Sequence, residues 1–237
     1  LWQLNLLKAQ FDASMGMDAG LADQPYIIQR YIKNPLLLDG RKSELRIYWL
    51  IASLSPLLVL MYKEGTVRLN SQPFRLEEFD NTLIHVTNVY QQKIHPGFDS
   101  SVILKWSFFD WERHLVQDRK IARPDFVMND LKPRLRRSLA FVVDSARTTL
   151  AQCPANGLHF GLLGADIILD DTLCPWLTEV QKGPGLSHDD PVKRQLLPDA
   201  LGEAARIVLE IQRRKRLGES LAELDSVRNF EWEIREG

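Results

Sequence analysis

The chain has 237 residues, 45% of them hydrophobic and 26% charged, which is enough apolar material for one large domain or two small ones and excludes disorder as the main state. Its 30 Lys+Arg against 31 Asp+Glu leave a net charge of −1, so no general field draws it to nucleic acid or to an anionic membrane. The two cysteines, Cys153 and Cys174, are too few for a disulfide framework or a zinc site and point to a reducing compartment, and no run approaches the roughly 18 apolar residues of a membrane span.

The chain opens "LWQLNLLKAQF", with no initiator Met and no signal-peptide pattern, and so reads as a fragment or a processed product. From Tyr26 to Ile32, "YIIQRYI" is rich in β-formers, and the turn signals Asn34-Pro35 and Asp39-Gly40 precede a strand expected over about Leu45 to Ala52. "PLLVLMYKEGTVRLNSQPF" reads as a hairpin turning at Lys63-Glu64-Gly65. Residues 79–119 are polar and irregular, which predicts a long functional loop ending in a short helix.

After Asn129, apolar residues recur at helical spacing behind an Asn/Asp cap, and Pro154, Asn156 and Gly157 supply the stop. A hairpin, "GADIILDDTLCPWLTEVQKGPG", comes next. A second long helix starts behind Asp189-Asp190-Pro191 and runs to about Gln212, with a bend expected at Pro198, and the tail from Arg213 reads as charged and partly helical. Helices around an antiparallel sheet with long insertions make the fold class α+β.

The hairpin carries chemistry. A turn centred on Asp171-Thr172-Leu173 sets Asp166 opposite Glu179 and Gly164 opposite Gln181. Opposed Cβ atoms lie roughly 4.5–5.5 Å apart, where two carboxylates repel unless a cation sits between them. Oxygen donors at that spacing suit Mg²⁺, and the strand period of two puts Gln181 on the same face as Glu179. The competing reading, two acids on a solvated face, is weakened by the apolar flanks. By the same period Lys42, Glu44 and Arg46 share one strand face, and Arg68 follows in "GTVRLN". Alone, that strip suits an outer face; beside a metal cup it makes a polyphosphate site. Trp176 is expected to pack on the buried side of the hairpin, and the five scattered histidines carry no expected chemistry.

In this order, "YIIQRYIKNPLLLDGRKSELRIYWLIAS", "YKEGTVRLNSQPF", "HVTNVYQQK" and "GADIILDDTLCPWLTEVQKGPGLSHDDPVK" resemble the core motifs of tubulin-tyrosine ligase and the tubulin-tyrosine-ligase-like enzymes. The resemblance implies an ATP-grasp fold that joins an amino acid to a protein through an amide bond, using ATP and Mg²⁺ by way of an acyl phosphate. It implies that Gln29, Arg30, Tyr31 and Ile32 form the hinge that holds adenine, and that Lys42, Glu44, Arg46 and Arg68 contact ATP, with Arg46, Arg68 and Glu179 acting in catalysis. It places Thr87 and Asn88 on the nucleotide side and Asp166, Glu179 and Gln181 on the metal. Lys8 would be the lysine ahead of a phosphate loop whose first glycine is Gly16.

The resemblance further implies three divisions: residues 1–45 as the remainder of a central subdomain, 46–212 as the C-terminal subdomain and 213–237 as a tail, with the N-terminal domain of the family missing. Its expected partners are a free amino acid and tubulin or another protein with an acidic tail, in the cytoplasm or on the cytoskeleton. "RPDFVMNDLKPRLRR" and "RRKR" are candidate basic patches for that tail, though charge runs on helices are usually solvated faces. Departures from the family pattern are Glu44 for Asp, Gln181 for Asn and Asp18 for a glycine. They motivate a second expectation, a non-catalytic descendant serving as a structural or binding subunit of a larger assembly.

Overall fold

The computed structural model describes residues 29–153, 158–187 and 190–235. Contacts divide the chain into Leu1–Tyr31 and Ile32–Gly237. In the first unit only Gln29, Arg30 and Tyr31 are described, and they hold no regular structure, nor does Ile32, so the strand expected through Ile32 is not found over these four residues. The expected boundaries at 45/46 and 212/213 run through a strand and a helix of the second unit.

That unit is built on an antiparallel sheet. Among the described residues its strands are β1 (Leu37–Leu38), β2 (Arg41–Leu54), β3 (Leu57–Leu69), β4 (Lys105–Ser107), β5 (Gly161–Leu169), β6 (Pro175–Gln181) and β7 (Phe230–Arg235). The order is β4-β3-β2-β5-β6, with β1 paired to β2 and β7 paired to β3. Asp39 and Gly40 turn β1 into β2 with φ of 50° and 73°, the two-residue turn that suits the twist of paired strands.

β2 and β3 are longer than expected, and their turn falls at Ser55-Pro56, since Leu54 pairs with Leu57. Lys63-Glu64-Gly65 is instead a break in register inside β3: Ile47 faces Gly65 and Trp49 faces Met61, so three residues oppose the single Tyr48. Gly65 fits there because an added Cβ would lie 2.5 Å from the carbonyl oxygen of Arg46.

The alternation along β2 sorts its side chains between two cores. Leu45, Ile47 and Trp49 pack with α3 (Phe108–Gln117) and α4 (Lys132–Leu150) through Trp111, Leu115, Leu135 and Leu139. Tyr48, Leu50 and Ala52 pack under α5 (Pro191–Leu217) through Leu197, Ala204, Ile207 and Ile211. On this second face the apolar run stops at Tyr48, and the same alternation continues into Arg46, Glu44 and Lys42. The core therefore ends, and the polar site begins, along one strand.

Residues 79–119 hold more structure than expected, namely α1 (Thr82–His85), α2 (Val89–Ile94), β4 and α3. Asn81, Asn88 and Ser107 cap the three helices with their side chains. α4 has no side-chain cap; Asn129 and Asp130 sit in a π-helical turn, Val127–Leu131, that leads into it, and Pro133 supplies no donor in its first turn. Asp190 caps α5, its side chain accepting from the Lys193 N–H; the helix takes in Pro198, runs through Arg213–Arg216 and is capped by Gly218 with φ of 68°. β7 lies in the segment expected to be partly helical. No helix among the described residues is long and apolar enough to cross a membrane.

Candidate functional site

The β5–β6 ladder pairs Asp166 with Glu179 and Gly164 with Gln181, the register expected from the turn. β2 crosses this hairpin so that Arg46 pairs with Asp166, and β3 follows with Glu44 beside Arg68. Four strands thus deliver Glu44, Arg46, Arg68, Asp166, Glu179 and Gln181 to one end of the sheet.

Asp166 is 2% exposed and is held by two guanidinium groups. Arg46 donates to it through Nε, and through Nη2 at 2.9 Å, while Arg68 donates through Nη2. Arg46 also donates to the Pro184 carbonyl at 2.8 Å and to Gln181 Oε1 at 3.0 Å. Burial works against the charge of Asp166, but the bonds and fields of Arg46 and Arg68 hold its carboxyl below the usual range. Glu179 lies toward solvent, and its carboxyl is pushed up by partial burial and by the bond and charge of Asp166.

Glu44 accepts from Arg68 Nη2 at 2.7 Å, from Thr87 Oγ1 and from Thr178 Oγ1 at 3.1 Å. Lys42 is buried, which lowers its pKa, and it donates to the His85 carbonyl at 2.9 Å. Its observed contact thus holds the segment between α1 and α2. Asn88 spends its side-chain oxygen on the N–H groups of Tyr90 and Gln91 as the cap of α2. Gln29, Arg30 and Tyr31 fall in the other unit, Ile32 is half-buried at the start of this one, and Lys8, with Gly16 and Asp18, lies outside the described residues.

A cavity of about 300 Å³ opens beside these groups. Its walls include Arg46, Arg68, Lys93, Lys105, Lys193 and Gln181, with Tyr90 at the α2 side. Lys105 pairs with Asp190, the residue that caps α5, so β4 and the start of that helix are tied together at the wall. The donor set fits a hard divalent cation. The register opposes the carboxyls of Asp166 and Glu179, and the Gln181 amide oxygen shares the Arg46 guanidinium with Asp166, so these oxygen donors are of the kind that suits such an ion. The guanidinium groups of Arg46 and Arg68 occupy the Asp166 oxygens in this structure.

Sequence reasoning gave no structural role to Gln92, which lies in the motif "HVTNVYQQK", or to Thr178. Gln92 is fully buried, accepts from the Ser71 N–H at 2.9 Å and donates to the carbonyls of Thr82 at 2.9 Å and Val86 at 2.5 Å, which fixes the segment carrying Thr87. A buried amide in a polar stretch leaves no periodic signal. Trp176 is 47% exposed and donates from Nε1 to Asp170 at 2.8 Å, so it is not the buried packing residue that was expected. His114 Nε2 lies 3.2 Å from the carboxylates of both Asp39 and Asp118, a cluster that the scatter of histidines along the chain concealed.

Residues 11–216 match the model described as the tubulin-tyrosine ligase family. The chain is 32% identical to "Probable tubulin polyglutamylase TTLL9" of Bos taurus over 197 residues, covering 81% of this chain and 41% of that protein. It is 32% identical to "Inactive polyglycylase TTLL10" of Homo sapiens over 214 residues, covering 87% of this chain and 31% of that protein. It is 34% identical to "Probable tubulin polyglutamylase TTLL2" of Mus musculus over 191 residues, covering 74% and 33%. The chain thus spans less than half the length of each of these relatives.

Proposed function

The chain belongs to the tubulin-tyrosine ligase family, and from that premise we propose that it is the catalytic part of an ATP-dependent ligase that joins an amino acid to an acidic protein tail of the tubulin kind. An ATP-grasp-like fold and a cytoplasmic or cytoskeletal setting belong to the same proposal. The observation that carries it is the meeting of Asp166, Glu179 and Gln181 with Arg46 and Arg68 beside a cationic cavity.

A carboxylate is a poor acyl donor, so a substrate carboxylate oxygen attacks the γ-phosphorus of ATP, ADP leaves, and an acyl phosphate forms. The incoming amine then attacks the acyl carbon, phosphate leaves, and the nitrogen loses a proton as the amide forms. Asp166, Glu179 and Gln181 would hold Mg²⁺, which when bound offsets charge on the transferring phosphoryl group. Arg46 and Arg68 bring fixed positive charge to the same place and need no reorganisation to do so. Lys93 and Lys193 extend the positive wall toward anionic substrates.

A second reading, a non-catalytic binding module of a larger assembly, is favoured by Gln181: its amide oxygen is already taken by Arg46 at 3.0 Å. Titration calorimetry of the full chain with Mg-ATP tests both. The ligase reading expects binding that is lost in Glu179→Ala, and it is overturned by absence of nucleotide binding. Radiolabelled Tyr, Gly and Glu offered with tubulin then identify the donor, and binding without incorporation of any of them leaves the second reading.

A further inference from the structure

β6 carries one residue more than β5 beside the site. Asp166 pairs with Glu179 and Ile167 with Leu177, so Thr178 is the extra residue of a β-bulge. In an unbroken strand Thr178 would point to the face opposite Glu179. The bulge re-aims it, and its Oγ1 lies 3.1 Å from Glu44 Oε1 and 3.0 Å from the Asp166 carbonyl oxygen.

Glu44 is the residue this contact reaches. Its other oxygen accepts from Arg68 at 2.7 Å and from Thr87. Arg68 in turn uses the same Nη2 on Asp166. A carboxylate held by donors from β3, β6 and the segment before α2 has a fixed orientation, and charge-assisted bonds of this kind are roughly twice as strong as neutral ones. Without the Thr178 hydroxyl, whose one proton lies between Glu44 Oε1 and the Asp166 carbonyl, Oε1 loses its donor on β6, and the carboxylate is held through its other oxygen alone, by Arg68 and Thr87. An Asp at position 44 is one methylene shorter and ends short of Thr178, so the longer Glu44 and the bulged Thr178 work as a pair.

We propose that Thr178 is a positioning residue of the site: its hydroxyl orients Glu44, and through Glu44 it sets Arg68, on the cavity wall, against Asp166 and holds the buried Thr87. This rests on reading the site as a nucleotide and metal centre.

The test uses the full chain with Thr178→Val, which keeps the β-branch and removes the hydroxyl, and Thr178→Ser, which keeps the hydroxyl. Expected is a rise in the Kd for Mg-ATP of about five- to tenfold in Thr178→Val, the loss of one charge-assisted bond, and a return to within about twofold of the parent in Thr178→Ser. With Glu44→Ala present, which removes the acceptor, Thr178→Val should add nothing further. Unchanged binding in Thr178→Val, failure of the serine variant to restore it, or additive effects of the two substitutions each overturn the proposal. Should the parent chain bind no nucleotide, the ligase reading fails on its own, and the pair is judged by urea unfolding of the parent, Thr178→Val, Glu44→Ala and the double variant: non-additive midpoints sustain the Thr178–Glu44 link, and additive ones overturn it.

Discussion

A Cβ added to Gly164 would come within 2.9 Å of Pro184 Cβ and 3.0 Å of Arg46 Cδ, so the bare backbone at this position is what lets Arg46 lie across β5 toward Asp166. Overpacking of this order typically costs about 1–3 kcal/mol. Gly164→Ala is therefore expected to lower the unfolding midpoint modestly and to weaken Mg-ATP binding further than the loss of stability explains, as thermal melts and calorimetry on one sample will show. Asp166 and Glu179 face each other but should respond in opposite ways. Asp166→Ala leaves the largely buried Arg46 without a carboxylate and Arg68 with Glu44 alone, and is expected to cost about 3 kcal/mol in urea unfolding. Glu179→Gln removes a solvent-facing carboxyl that Asp166 repels, so stability should stay within about 0.5 kcal/mol of the parent while metal-dependent nucleotide binding disappears.

β7 is held to the body by charge as well as by its ladder to β3. Arg136 donates to Glu233 at 3.0 Å and to Glu231, and Lys132 lies 3.2 Å from Glu231. The Glu233 side chain is 1% exposed, and burial pushes its carboxyl up to about 7 against the pull of Arg136 and Lys132 and with the push of Glu231. Between its ordinary value of 4.5 and about 7 the folded chain holds a proton that the unfolded chain has released. Stability from this group is thus complete below 4.5 and is lost as pH rises through 7, a change on the order of 3 kcal/mol. Urea midpoints measured from pH 5 to 8 should fall more steeply for the parent than for Glu233→Gln.

The same strand shows what sequence reading reaches and what it does not. The β5–β6 register was legible because the turn and the alternation are both local, and the face shared by Lys42, Glu44 and Arg46 followed from the period alone. β7 was not legible, because "FEWEIR" becomes a strand through β3 and through ion pairs to a helix about a hundred residues earlier. The β2–β3 turn was misplaced because Lys63-Glu64-Gly65 has turn composition and serves as a bulge. Thr178 was hidden for the same reason: a bulge changes which way a side chain points without any mark in the hydrophobic pattern.

For the whole molecule, a ligand that binds only the folded chain stabilises it by mass action. At a hundred times its Kd, Mg-ATP should contribute about 2.7 kcal/mol, or roughly 5–10 °C in thermal midpoint for a chain of this size. The shift should vanish in Glu179→Gln and with chelator, as a melt series over ligand concentration will show. The positive runs once considered for an acidic partner are largely engaged within the fold. Arg213 bonds Glu219, Arg214 bonds Asp225, Lys215 reaches Ser53, and Arg136 clasps β7.

The central place of β2 bears on how the chain comes off the ribosome. Its partner on one side, β3, is the next segment made, but its partner on the other, β5, begins at Gly161, more than a hundred residues after β2 ends at Leu54. At typical synthesis rates that interval is on the order of ten seconds, during which this strand has one open edge. The bond between Arg46 and Asp166 spans 120 positions and can close only when the interval ends. The cluster around Asp166 thus cannot form before β5 is made, and a nascent chain released earlier would carry a sticky edge and lack Asp166, Glu179 and Gln181.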